Sequence, residues 1–130
     1  MSGKAAAIGI VVADLAVSVA FYQHLGLEFT GADSPHGHAE ADLGNGLRLL
    51  LDTEASVQSF TSGWTSPSGS PRVALAFEFG APHEVDAKFA ELTAAGYHGM
   101  RGPWDAVWGQ RYASILDPDG SGVDLFAPLG

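Results

Sequence analysis

The sequence has no cysteine and few charged residues, and both shortages limit what the protein can be. Without cysteine there is no disulfide framework, no cysteine-based zinc or iron–sulfur site and no thiol nucleophile. Six basic residues stand against fifteen acidic ones, and the formal net charge of -9 argues against binding to nucleic acid or anionic membranes. Hydrophobic residues make up 46% of the chain, which excludes a disordered protein. A cationic or neutral partner is the better expectation.

Long hydrophobic runs are also missing. Asp14 limits the apolar N-terminal stretch to about nine residues, which is too short for a membrane span. A buried strand followed by a helix explains this stretch better than a signal peptide does. We therefore expect a cytoplasmic protein. Its 130 residues are close to the usual size of one domain.

The chain is predicted to consist of two similar halves. An apolar strand at 5–12 is followed by a helix that begins after the N-cap residue Asp14 and ends at Gly26. Strands are predicted at 28–31, 37–43 and 47–52. The second half repeats this order, with a strand at 73–79, a helix from Pro82 to Gly96, and strands at 97–101, 111–116 and 122–126.

The two halves also match residue by residue in one place. The segment 44–49 (GNGLRL) aligns with 120–125 (GSGVDL), with glycine and apolar residues at the same positions. We predict one α+β domain made of two βαβββ modules, 1–53 and 72–130. A linker rich in Ser, Thr, Gly and Pro joins them at 54–71.

Two motifs lie at corresponding places in the halves. The first is Asp14-Leu15 followed by Phe21-Tyr22 and Leu25-Gly26-Leu27, and the second is Asp117-Pro118-Asp119-Gly120 followed by Val123-Asp124-Leu125. Together they resemble the vicinal oxygen chelate superfamily, which comprises glyoxalases, bleomycin-resistance proteins and extradiol dioxygenases. The resemblance implies a curved mixed sheet around a cleft, in a homodimer whose subunits exchange modules.

Metal-dependent members of that superfamily carry ligands on the first and last strand of each module. The resemblance transfers these positions to Ala7, Arg48, Ala74 and Asp124. Alanine has no donor atom and arginine repels a dication, so only Asp124 is a potential ligand. We therefore expect no metal, no other cofactor and no catalytic residue. The alanines predict a roomy cleft for a ligand, unless their small size serves only to let layers pack closely.

An aromatic segment narrows the resemblance. Residues 104–112 (WDAVWGQRY), together with 38–40 (HAE) and the ending 124–129 (DLFAPL), are similar to the mitomycin-resistance group of antibiotic-binding proteins from actinomycetes. In that group a histidine and a tryptophan sandwich a planar quinone, and the positions correspond to His38 and Trp108. The ligand-binding residues expected are His38, Trp108, Trp104, Gln110, Tyr112, Trp64, Phe60 and Glu40. Each tryptophan taken singly is equally well explained as a cover for the core.

These observations favour a binding protein over an enzyme. We expect it to give self-resistance by sequestering a planar, quinone-containing cytotoxic antibiotic, mitomycin-like or an anthraquinone-fused enediyne, without modifying it. One alternative is sequestration of a bleomycin-type glycopeptide, whose positive charge suits the acidic chain. Another is a divalent-metal lyase, isomerase or dioxygenase of the same superfamily. A row of His38, Glu40 and Asp42 would also suit acid–base chemistry, although no nucleophile accompanies it.

Overall fold

The computed structural model describes residues 1–130, which form two compact units, Met1–Ser68 and Gly69–Gly130. The first unit contains β1 (Ala7–Val12), α1 (Leu15–Gln23), β2 (Phe29–Thr30), β3 (His38–Gly44), β4 (Leu47–Thr53) and α2 (Glu54–Phe60). The second contains β5 (Ala74–Glu78), α3 (Pro82–Ala94), β6 (Gly99–Ala106), β7 (Gln110–Leu116) and β8 (Gly122–Pro128). The fold is α+β, as predicted.

Each unit has one four-stranded mixed sheet, and both sheets are connected in the same way. The strand order is β1-β4-β3-β2 in the first unit and β5-β8-β7-β6 in the second. The first strand of each unit lies parallel to the last, and the other neighbours are antiparallel. The first two strands of each unit lie at opposite edges of its sheet. A helix joins them, because a tight antiparallel hairpin connects only adjacent strands. The predicted βαβββ repeat is confirmed.

The helices begin and end where local chemistry places them. The Asp14 side chain accepts a hydrogen bond from the Val17 N–H (3.2 Å), which satisfies one of the free donors of the first turn of α1. Helix α3 lacks a side-chain cap and begins with Pro82, which has no N–H to satisfy. Gly26 and Gly96 follow the two helices with φ of +92° and +98°, a conformation that costs glycine little.

One face of each sheet is covered by a helix, and the core of each unit lies between them. In the first unit the fully buried Phe21 and Tyr22 of α1 share the core with Leu49 and Leu51 of β4. In the second, Val85 and Leu92 of α3 share it with three residues of the central strands, namely Ile115, Val123 and Leu125. Burial of such side chains contributes roughly 1.5–3 kcal/mol each, so this face holds each unit together.

The strand β6 is longer than predicted. The predicted strand ends at Arg101, and the next two residues, Gly102 and Pro103, are of types that normally interrupt a strand. The structure continues it to Ala106, with an irregularity in the β6–β7 register between Arg101 and Trp104. Proline is tolerated here because β6 is the edge strand of its sheet and because the bulge removes the need for a ladder hydrogen bond. Trp104, which follows the predicted end of this strand, therefore lies within it.

The segment predicted as a linker begins with a helix. Thr53 caps α2, since its hydroxyl oxygen accepts a hydrogen bond from the Ser56 N–H (3.2 Å). The helix α2 packs against β1 and β4 within the first unit. No helix of the protein is long and apolar enough to cross a membrane.

Candidate functional site

The second face of each sheet is not covered by its own helix, and we call it the open face. On the open face of the first sheet the register aligns Ala7 with Arg48 and Gly9 with Leu50. On the open face of the second it aligns Ala74 with Gly122 and Ala76 with Asp124. A Cβ added to Gly9 would meet no atom within 4 Å, so space is open above this strand. The small residues of the first strand of each unit, predicted to line a cleft, therefore lie on the open faces.

The register corrects one of the four transferred metal positions. Because 44–49 aligns with 120–125, Arg48 corresponds to Asp124. The residues that pair with Arg48 and Asp124 on the first strand of each unit should therefore correspond as well. Arg48 pairs with Ala7 and Asp124 pairs with Ala76, so Ala76, not Ala74, is the counterpart of Ala7. The spacing to the following helix differs between the units, because α3 begins six residues after Ala76 whereas α1 begins eight residues after Ala7.

The donor set at the corrected positions does not fit a divalent metal. Neither Ala7 nor Ala76 has a donor atom, and the Arg48 guanidinium is positive. Both carboxylate oxygens of Asp124 accept hydrogen bonds, from the Tyr112 hydroxyl (2.7 Å) and the Ser114 hydroxyl (2.9 Å). Nowhere in the protein are three or more His, Asp or Glu side chains arranged to hold a metal ion.

An aromatic row lies on the open face of the second sheet and consists of Trp104, Trp108, Tyr112 and Phe126. Trp108 packs edge-to-face against Trp104 and against Tyr112, with ring centroids 5.4 Å apart in both pairs. Tyr112 stacks on Phe126 at 6.1 Å, as their register on β7 and β8 requires. Such pairs are worth about 0.5–1.5 kcal/mol each beyond the area they bury. The row is thus a continuous surface of packed rings.

Polar groups fix the rings of the aromatic row. The Trp108 Nε1–H donates to the Gln110 side-chain oxygen (2.8 Å), and the Arg101 guanidinium lies 3.9 Å from the centre of the Trp104 ring. Burial, followed by the hydrogen bond to Asp124, raises the pKa of Tyr112 to about 12. Trp108 nevertheless stays 56% exposed, because it lies in the turn between β6 and β7. It is a large apolar surface held in place and open to a ligand.

A charge network lies on the open face of the first sheet and consists of His38, Glu40, Arg48 and Asp52. His38 Nδ1 is 2.6 Å from Asp52 Oδ1, and His38 Nε2 is 2.8 Å from Glu40 Oε2. The second oxygen of Glu40 pairs with Arg48. The hydrogen bonds to Glu40 and then to Asp52 raise the pKa of His38, and the bond to His38 lowers that of Glu40.

Arg48 and Asp52 lie on the same face of β4 but do not pair with each other. Arg48 pairs instead with Glu40 of the neighbouring strand, and Asp52 pairs with His38. The reason is the antiparallel register of β3 and β4, which sets Asp52 directly opposite His38. A cleft of about 510 Å³ adjoins the network, with polar lining from Glu28, Thr30, Glu40, Asp42 and Arg48.

The predicted ligand-binding residues are divided between the two units. Trp104, Trp108, Gln110 and Tyr112 lie together in the second unit, and His38 and Glu40 lie together in the first. Phe60 is the exposed last residue of α2, and Trp64 lies in the turn that follows. Sequence reasoning missed Phe126, although period-two alternation from Asp124 along β8 indicates that it shares the open face.

The chain is similar to known proteins in both sequence and structure. The model of the family described as Glyoxalase/Bleomycin resistance protein/Dioxygenase superfamily matches residues 4–125. A solved structure of a glyoxalase/bleomycin resistance protein/dioxygenase from Nocardioides is 26% identical, with a TM-score of 0.77, over 99% of this chain and 85% of that one. No curated protein sequence matches the chain significantly.

Two further solved structures share the fold at lower identity. A glyoxalase/bleomycin resistance protein/dioxygenase family enzyme from Burkholderia phytofirmans is 17% identical, with a TM-score of 0.83, over 98% of this chain and 100% of that one. A lactoylglutathione lyase from Agrobacterium tumefaciens is 21% identical, with a TM-score of 0.68, over 93% of this chain and 90% of that one. At these identities the similarity concerns the fold alone.

Proposed function

Because the chain belongs to the Glyoxalase/Bleomycin resistance protein/Dioxygenase superfamily, which includes both enzymes and binding proteins, we propose that it is a binding protein that sequesters a small molecule without modifying it. The ligand is a planar, quinone-containing cytotoxic antibiotic, of the mitomycin type or an anthraquinone-fused enediyne. The binder acts in the cytoplasm as a homodimer and protects its host in proportion to its own concentration.

The observation that carries this proposal is the aromatic row of the second unit. A flat ring system gains most from other flat rings that are already fixed in place, since little conformational entropy is then lost on binding. Trp108 meets this requirement, because its indole is held by Gln110 and by two neighbouring rings yet stays more than half exposed. In this proposal Trp108 and His38 each offer a stacking surface in their own unit. Tyr112 and Gln110 orient a ligand beside Trp108, and Glu40 does so beside His38.

The side chains that would do chemistry are engaged otherwise. Hydroxyl groups occupy both oxygens of Asp124, and carboxylates occupy both ring nitrogens of His38. A general base needs a free lone pair within reach of a substrate proton, and His38 offers none because a carboxylate faces each ring nitrogen. Asp124 keeps free lone pairs, but each of its oxygens already accepts one hydroxyl hydrogen bond. The positions that hold metal in relatives carry alanine, arginine and this engaged aspartate. These features support binding over catalysis.

Bleomycin-type glycopeptides remain a second candidate because of the cleft in the first unit. Glu28, Glu40 and Asp42 give this cleft an acidic lining, offset only by Arg48. A cationic ligand would gain charge-assisted hydrogen bonds there, and the net charge of -9 would speed its approach.

Quenching of tryptophan fluorescence tests the proposal and separates the two candidates. The protein is titrated with mitomycin C, bleomycin and an anthraquinone-fused enediyne. We expect saturation by a quinone drug, with an affinity about tenfold or more lower in Trp108→Ala. Val107→Ala is the matched control, because Val107 is the adjacent residue and is 94% exposed without belonging to the aromatic row. Equal loss in both variants, or saturation by bleomycin alone, would overturn the quinone proposal.

A further inference from the structure

The His38 side chain is in contact with a carboxylate at each of its two ring nitrogens. Asp52 Oδ1 lies 2.6 Å from Nδ1, and Glu40 Oε2 lies 2.8 Å from Nε2. A carboxylate only accepts hydrogen bonds, whereas neutral imidazole has a single N–H. Both bonds therefore form together only when both ring nitrogens carry a proton.

The proton belongs to the ring and not to a carboxyl group. Hydrogen bonding to His38 lowers the pKa of Glu40, so this carboxyl is a poor proton holder, and the pKa of His38 is raised by the same bond and by that to Asp52. Arg48 pairs with the other oxygen of Glu40 and keeps it ionised. Both contacts therefore favour the imidazolium form of the ring.

The two carboxylates also fix the plane of the ring. Glu40 lies on β3 and Asp52 on β4, so the ring is tied to two neighbouring strands and cannot turn without breaking a bond. The His38 side chain stays 35% exposed although both nitrogens are occupied. With its nitrogens engaged, the ring offers its π-face for stacking, and neither nitrogen is available to a substrate or metal.

Few other charges act on His38. Its own strand adds Asp42 and β4 adds Arg48, while β1 contributes only the uncharged Ala7, Gly9 and Val11 to this face. The segment before β2 brings Glu28 to the adjoining cleft, and α2, which packs against β4, carries a single charged residue, Glu54. Apart from Arg48, every neighbouring charge is negative and favours the imidazolium.

We propose that Glu40 and Asp52 are positioning residues that hold His38 as a fixed, doubly protonated stacking surface, and that this surface prefers an electron-rich planar ring. A cation is attracted to the negative π-face of an electron-rich ring, and an amino-substituted quinone supplies such a face better than an unsubstituted one. This inference rests on the proposed function, because it assumes that His38 stacks on the ligand. Its consequence is that affinity declines when the ring loses a proton.

The test compares two pH titrations of the full-length protein. The first follows the His38 ring by NMR without ligand, with the signal assigned by its absence in His38→Gln. The second follows the affinity for an amino-substituted anthraquinone by tryptophan fluorescence. We expect a raised His38 pKa, and an affinity that falls about tenfold for each pH unit above it, the slope for one required proton. Anthraquinone sulfonate, which lacks the amino group, should bind more weakly than the amino-substituted compound below that pH.

The variant Asp52→Asn keeps an acceptor oxygen for Nδ1 but removes the charge. We expect it to move the NMR midpoint and the affinity midpoint to lower pH by the same amount. Asp42→Asn is the matched control, because it removes one charge from the same face without touching His38, and it should move both midpoints far less than Asp52→Asn does.

The outcomes separate this inference from the proposed function. A His38 ring that titrates at its ordinary pKa, or an affinity midpoint that stays in place when Asp52→Asn moves the NMR midpoint, would overturn the positioning role. Absence of anthraquinone binding at every pH, together with a raised His38 pKa, would overturn the proposed function and with it the stacking role, while leaving the protonation state established.

Discussion

The open faces of the two sheets differ sharply, although the sheets have the same topology. Arg48 and Asp124 occupy corresponding positions on corresponding strands, yet Arg48 belongs to a charge network and Asp124 supports an aromatic row. The covered faces, by contrast, are both apolar, with Leu49 and Leu125 fully buried at corresponding positions. Burial against a helix thus limits one face of each sheet to apolar residues, and the other face is free to diverge.

The largest effect is expected on the covered faces, where the two units should behave alike. Leu49→Ala and Leu125→Ala should each lower the free energy of unfolding by about 2–5 kcal/mol, because each leaves a cavity in a closed core. Urea denaturation measures this value. Leu50→Ala is the control, since Leu50 is the next residue on β4 and lies on the open face. A loss in Leu50→Ala equal to that in Leu49→Ala would contradict the distinction between the two faces.

A smaller effect should distinguish the open faces. Asp124→Ala leaves the Tyr112 and Ser114 hydroxyls without their acceptor and should cost about 1–3 kcal/mol of unfolding free energy. Arg48→Ala should cost less than about 1 kcal/mol, because Arg48 is more than half exposed and its ion pair is screened by solvent. Urea denaturation at one pH measures the unfolding free energy of both variants. A larger loss in Arg48→Ala than in Asp124→Ala would contradict this account of the two open faces.

The smallest effect concerns the ionisation of Tyr112. Its pKa is raised to about 12, above that of a free tyrosine, so the folded state holds this proton after the unfolded state has lost it. This contribution to stability is complete below the ordinary tyrosine pKa and is lost as the pH rises through about 12. Asp124→Asn should return the pKa of Tyr112 towards its ordinary value, measured by tyrosinate absorbance.

The matched control is Tyr112→Phe, which should remove the late-titrating component from the absorbance curve. If this component persisted unchanged in Tyr112→Phe, it would not report on Tyr112, and the link between Asp124 and the aromatic row would have no support from titration.

The sequence predicted most of the fold because its strong signals are local. The Asp14 cap, Pro82 at a helix start and the repeated segments at 44–49 and 120–125 each depend on a few adjacent residues. The exceptions depend on pairing between distant strands. The extension of β6 past Pro103 and the correspondence of Ala76 with Ala7 are both set by register, which the local pattern does not contain.

The candidate site was predictable in its residues but not in its contacts. Trp104, Trp108, Gln110 and Tyr112 lie close in sequence on one hairpin, so their clustering follows from the turn between them. The partner of His38 on the next strand, Asp52, lies fourteen residues away and is brought opposite by the β3–β4 register. The contact between Phe126 and Tyr112 also depends on the register of β7 and β8, so only the structure shows that Phe126 belongs to the aromatic row.

The central claim is that this protein holds its ligand and leaves it unchanged. The most direct test incubates an excess of mitomycin C with the protein, separates the bound fraction, denatures it and identifies the released compound by mass spectrometry. Our account predicts intact drug, in an amount that never exceeds the protein's binding capacity, with no product accumulating over time. A modified compound that increases with incubation beyond the amount of protein would show turnover and contradict the account.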